Sequence, residues 1–127
     1  MKKQFAVCVL LLVMVFALTG CTKGSSVLLE SVEMSEADSW SISYKKFNGY
    51  KEREVNLTGD EEHSFFVEVT TNSGNLALSI SNEDGTTLYT GNKMPSSTFE
   101  VKAKSAEKYT IRFTADNHQG SWSVKWK

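Results

Sequence analysis

From Trp40 to the end of the chain, apolar and polar side chains alternate. Trp40, Ile42 and Tyr44 interleave with Ser41, Ser43 and Lys45, and Arg53-Glu54-Val55-Asn56-Leu57 alternates in the same way. The pattern returns at Phe65, Val67 and Val69, at Leu76, Leu78 and Ile80, and at Phe99, Val101 and Ala103. It closes with Tyr109, Ile111 and Phe113, then Trp122, Val124 and Trp126. A period of two sends one set of side chains to a core and the other to water, which marks half-buried strands. Between these runs stand turn signals. Asn48-Gly49 tolerates positive φ at both centres of a tight hairpin, 58–63 is a polar loop, and Asn72-Ser73-Gly74-Asn75 and Asn82-Glu83-Asp84-Gly85 are turn clusters. Asp116 to Gly120 is expected to connect the last two strands, and Pro95 falls in a connection. Val27, Leu28, Leu29, Val32 and Met34 suit a first edge strand, while Glu30, Glu33, Glu36 and Asp38 argue against deep burial there. With no helical period after residue 26, the expectation is an all-β fold. It is an antiparallel β-sandwich of seven to eight short strands, one face of each sheet wet.

The N-terminus reads differently. Lys2 and Lys3 precede the uncharged run 5–18, fourteen residues long, where a membrane-spanning helix needs roughly 20. A charged start, a short apolar stretch and small residues before a cleavage point make a secretory signal. Leu18-Thr19-Gly20-Cys21 resembles the lipobox of bacterial lipoproteins. The resemblance implies a diacylglycerol thioether on Cys21 and cleavage before it. Expected divisions are therefore a signal-peptide helix over 1–20, a lipidated cysteine with a polar tether over 21–26, and a sandwich domain over 27–127. The expected location is the extracytoplasmic face of the cell membrane, with the membrane itself as partner through the lipid.

Charge and cysteine content narrow the rest. Without Lys2 and Lys3, twelve basic residues face fifteen acidic ones, a formal −3. No basic stripe recommends nucleic acid as a partner. Cys8 leaves with the signal, so Cys21 has no thiol to pair with and the fold rests on its core alone.

From Ser64 onward the order of signals is Leu-x-Leu-x-Ile, an Asp-Gly turn, Leu88-Tyr89, an F-x-V strand, Tyr-x-Ile-x-Phe and a closing Gly-Ser-Trp-Ser-Val-x-Trp. It is similar to the jelly-roll-like pre-peptidase C-terminal domains of secreted peptidases, to GOLD-type sandwiches, and to small lipoproteins of Gram-positive bacteria. The resemblance covers about half the chain and implies a non-catalytic accessory or interaction module.

Candidate chemistry is sparse. Gly59-Asp60-Glu61-Glu62-His63 gathers three carboxylates and an imidazole, but without the alternate-residue spacing that converges oxygens on calcium. It reads as a solvated loop, and no metal or other cofactor is expected. His63 and His118 are the only histidines, too few for zinc without a thiol. There is no Gly-x-Ser-x-Gly elbow, no His-Glu-x-x-His and no phosphate-cradling glycine loop, so no catalytic residue is named. Phe66 breaks the alternation by standing between Phe65 and Val67. With Tyr89, Tyr50 and Phe47 it is a candidate outward aromatic surface for an envelope protein or a glycan. The expected function is a membrane-anchored, non-enzymatic interaction module, with a carbohydrate-binding sandwich as the alternative and a small hydrolase behind both.

Overall fold

A computed structural model describes residues 22–127. The expected signal peptide over 1–20 and the expected lipidation site Cys21 lie outside the described residues. Seven strands follow one another: β1 (Thr22–Leu29), β2 (Val32–Ser35), β3 (Ser39–Asn56), β4 (His63–Asn82), β5 (Thr87–Gly91), β6 (Ser97–Ala103) and β7 (Lys108–Trp126). All pairings are antiparallel, along the path β1-β3-β7-β4-β5, with β2 also on β3 and β6 also on β4.

Three of these strands are far longer than the sequence suggests, and each doubles back. Phe113 and Trp122 share β7 and would stand roughly 30 Å apart on a straight strand, yet their rings stack at 3.8 Å. Arg53 reaches back along β3 to donate to the Ser39 carbonyl at 3.1 Å. One sheet is thus folded across itself into two layers. The first layer runs β2, the start of β3, the end of β7, the start of β4, and β6. The second runs β1, the end of β3, the start of β7, the end of β4, and β5. Trp40 and Trp122 of the first layer close on Phe113 of the second, Phe65 meets Tyr109 at 5.4 Å, and Tyr89 meets Phe99 at 5.0 Å. The expected sandwich is what forms.

The turn signals Asn48-Gly49, 72–75 and 116–120 are corrected by this arrangement. They do not reverse the chain between separate strands; they are where β3, β4 and β7 bend. Register shifts fall between Tyr44 and Gly49, between Thr71 and Asn75, and opposite them at 115–120. Gly74 (φ 79°) and Asn117 (φ 48°) take left-handed conformations there. Asn48 and Asn117 tie the bends together, Asn48 Nδ2 donating to Asn117 Oδ1 at 3.1 Å and Asn117 N to Asn48 Oδ1 at 2.7 Å. A positive-φ residue inside a strand that stays paired on both sides makes a bulge and a bend. Only 82–86 forms a true turn of the expected kind, with Asn82 Oδ1 accepting from the Asp84 and Thr86 amides.

The tether is corrected too. Residues 22–26 pair with Arg53 to Gly49 of β3, so the strand begins at once after Cys21. Gly24 permits the close approach: a Cβ there would come within 2.3 Å of the Tyr50 carbonyl oxygen.

Ion pairs and hydrogen bonds close one edge of the sandwich. Glu33 of β2 accepts from Trp40 Nε1 at 3.0 Å and from Lys51 Nζ at 2.7 Å. Burial opposes the charge on Glu33, but the bonds from Lys51 and Trp40, with the charges of Lys51 and Arg53, outweigh it and hold the carboxyl below its usual range.

Candidate functional site: a serine-floored groove

The two outer faces of the sandwich differ. The second layer carries two ion pairs: Lys108 meets Glu54 at 3.5 Å and Arg112 meets Glu52 at 3.6 Å. Arg112 also lies 3.9 Å over the Tyr50 ring. That is an ordinary solvated surface.

The first layer's outer face is different. Directly paired residues share a face, so the register places side chains in rows. One row reads Met34, Ser41, Ser123, Glu68, Thr98, and the next reads Val32, Ser43, Ser121, Thr70. Four serines on the adjacent strands β3 and β7 therefore make a floor. Larger side chains on β2 and β4 stand on either side, three strand spacings or roughly 14 Å apart. Val32 and Met34, 63% and 56% exposed, form the apolar wall. Phe66, Glu68 and Thr70 form the other. The result is a shallow trough of about 180 Å³ over the serines and Glu68. None of the four serine hydroxyls nor the Glu68 carboxylate has a side-chain partner among the described residues.

The groove's chemistry follows from these groups. A serine hydroxyl both donates and accepts, a carboxylate accepts at two oxygens, and an exposed ring offers an apolar plane. Such a set can hold a hydroxyl-rich ligand lying along the strands.

Of the aromatics expected to form a surface, Phe66 alone belongs to this groove, 39% exposed with Lys127 Nζ 5.7 Å over its ring. Phe47 is fully buried, edge-on to Tyr44, which removes it from any surface. The bulge between Tyr44 and Phe47 shifts the alternation by one and turns this ring inward. Tyr50 lies on the opposite face under Arg112, and Tyr89 packs on Phe99 at the β5–β6 edge. The four do not come together. Val32, Met34 and the serine floor were missed by the sequence reading. Paired Ser-x-Ser motifs at 41/43 and 121/123 are visible in the chain, but their adjacency depends on the topology.

The histidines occupy opposite ends. His63 opens β4, its Nε2 3.2 Å from the Gly59 carbonyl. His118 sits at the bend, fully buried and bonded to Thr71. Between His63 and Thr71 the strand rises roughly 26 Å, so no paired-histidine site exists. The acidic loop lines a second, larger hollow of about 660 Å³ with Lys102 and Lys104. Among the described residues no three of His, Cys, Asp or Glu converge as metal ligands.

His118 instead completes a buried chain. Thr71 Oγ1 donates to the Met94 carbonyl at 2.9 Å, so it must accept from His118 Nε2 at 2.8 Å. Nδ1 is then the acceptor, and Tyr44 donates to it at 2.5 Å. Burial lowers the His118 pKa and raises that of Tyr44, keeping the imidazole neutral and the phenol protonated.

No family model matches the chain, and no curated protein matches its sequence. Solved structures with a similar layout include a family 61 carbohydrate-binding module in complex with β-1,4-galactotriose (12% identity, TM-score 0.47, 87% of this chain and 88% of that one). A family 35 carbohydrate-binding module from Clostridium thermocellum shares 13% identity at TM-score 0.41, over 84% of this chain and 95% of its own. A module of Cellvibrio mixtus lichenase 5A in complex with cellotriose shares 16% at TM-score 0.39, over 80% and 92%. Likeness of this order identifies neither a shared ligand nor a shared site.

Proposed function

We propose that this is a non-enzymatic, glycan-binding sandwich held at the outer face of a cell membrane by a lipid on Cys21. The observation that carries the binding half is the unpartnered groove of the first layer. Its hydroxyl floor, the Glu68 carboxylate and the exposed ring of Phe66 share one face, while the opposite face carries the ion pairs Lys108–Glu54 and Arg112–Glu52. A sugar chain lying along β3 and β7 would exchange hydroxyl hydrogen bonds with Ser41, Ser43, Ser121 and Ser123 and donate to Glu68. Its apolar ring face would rest on Phe66 or against Met34. The anchoring half rests on the lipobox-like sequence ending at Cys21. Two acyl chains hold a protein stably, at about 0.8 kcal/mol per buried methylene.

A glycan array followed by titration tests the binding half. Phe66→Ala and Glu68→Gln should each weaken the best ligand by about tenfold, the loss of one good contact. Tyr89→Ala, away from the groove, should leave affinity unchanged. Full affinity in both groove variants would overturn the assignment of the site.

A further inference from the structure

The groove is not uniform along its length. On β7 the residues sharing its floor run Ser121, Ser123, Lys125, so the neutral floor gives way to an ammonium one pleat further on. Lys125 lies directly opposite Phe66 of β4. Lys127 continues the same face and holds its Nζ over the Phe66 ring. On the far side of β4, Lys102 pairs with Ser64, one row beyond. None of these three ammonium groups has an ion-pair partner among the described residues. Glu100, directly beside Phe66 on β6, accepts a 2.6 Å hydrogen bond from Ser64 Oγ and keeps its charge, so that side of the ring carries a carboxylate as well as Lys102. The second layer, by contrast, spends Lys108 and Arg112 on Glu54 and Glu52. Two ammonium groups without an ion-pair partner, Lys125 and Lys127, stand on the β7 side of one exposed ring at the end of a hydroxyl trough, and they define what a ligand should carry there.

We infer that the groove selects an anionic glycan, one bearing carboxylate or phosphate groups along its chain, with an anion seated at Lys125 and Lys127. This rests on the glycan-binding reading and adds the charge of the ligand to it. Neutral sugar rings occupy the serine floor beside Glu68. The anion meets the lysine end, where Phe66 supplies the apolar plane between the two. Successive outward positions on a strand are about 6.6 Å apart, so Ser123 and Lys125 address neighbouring parts of one extended chain. Glu68, at the serine end, disfavours an anion there and fixes the direction in which the chain lies.

The test uses the full chain in detergent and three polymers: polygalacturonate for the carboxylate, a polyol-phosphate polymer for the phosphate, and a neutral β-1,4-galactan. One of the anionic polymers should bind more tightly than galactan, and its affinity should fall as salt rises. Lys125→Ala with Lys127→Ala should cost that polymer about tenfold or more, as loss of charge-assisted bonds does, and leave galactan unaffected. Thermal unfolding of the variant should match the parent, since both side chains are exposed. Which anionic polymer wins identifies the source of the charge. Galactan binding as tightly as both anionic polymers, with the lysine variant unchanged, would overturn the inference and leave the glycan reading standing. Binding of none of the three, with no glycan retained on an array, would overturn both. Competition by anionic lipid vesicles that abolishes polymer binding would instead assign the lysines to the membrane and overturn the inference alone.

Discussion

His118 shows how one residue ties the two layers together. It lies where β7 bends, fully buried, and its neutral ring relays a hydrogen bond from Tyr44 of β3 to Thr71 of β4. Its folded-state pKa is depressed by burial, below the roughly 6.5 of an unfolded histidine. Above that value both states hold it neutral. As pH falls below it, the unfolded chain takes up a proton that the folded one resists, so stability declines until the folded group itself titrates. Denaturant unfolding at pH 7.5 and pH 5.0 should show this loss. His118→Gln, which keeps a donor and an acceptor but cannot titrate, should reduce it. Tyr44→Phe should cost about 1–3 kcal/mol at neutral pH by leaving Nδ1 buried without a donor; no cost would contradict the relay. Little of this was legible beforehand. His118 read as a loop residue because its neighbours Asn117 and Gly120 are turn formers. Phe66 was legible, because two apolar neighbours already filled the inward positions. Phe47 was not, because a bulge reverses the face of everything beyond it.

At the scale of elements, strand residues were evident and strand continuity was not. The runs 40–45 and 53–57 read as two strands of a hairpin, whereas they are the two ends of β3. A local signal such as Asn48-Gly49 specifies positive φ, and positive φ serves a tight turn and a bulge equally well. Long-range pairing to β7 on both sides of the bend decides between them. The bends also explain which glycines are irreplaceable. A Cβ on Gly74 would lie 2.0 Å from the Asn117 carbonyl oxygen, in backbone with φ 79°. Gly85 shares that φ but has nothing within 4 Å. Gly85→Ala should therefore cost about 1–2 kcal/mol, the left-handed penalty alone. Gly74→Ala should cost more than about 4 kcal/mol, because backbone of two strands must also separate. Equal unfolding midpoints for the two variants would contradict the bend as drawn.

Over the whole molecule, the fold brings both ends of β3, β4 and β7 to one pole and their bends to the other. Thr22 pairs with Arg53, near the pole that holds the loops 57–62 and 104–107. With the sheet starting at Thr22, a lipid on Cys21 would hold this pole against the membrane without a flexible spacer. The bends and the serine end of the groove would then point away from it. Cys21→Ser should abolish lipid labelling and leave the precursor uncleaved; normal processing would remove the anchor from the account. The sequence made the sandwich legible through its alternation. The groove was not legible, since its walls come from β2 and β4 and its floor from β3 and β7, strands that only the topology makes neighbours.

Whether that groove is the binding surface can be read directly from backbone amide shifts of the isotope-labelled protein during titration with the best glycan ligand. A ligand in the groove should perturb Ser41, Ser43, Phe66, Glu68, Ser121 and Ser123 together. Perturbations confined to the loop hollow around Asp60 to His63, or to the ion-paired face around Tyr50 and Arg112, would contradict the groove as the binding surface.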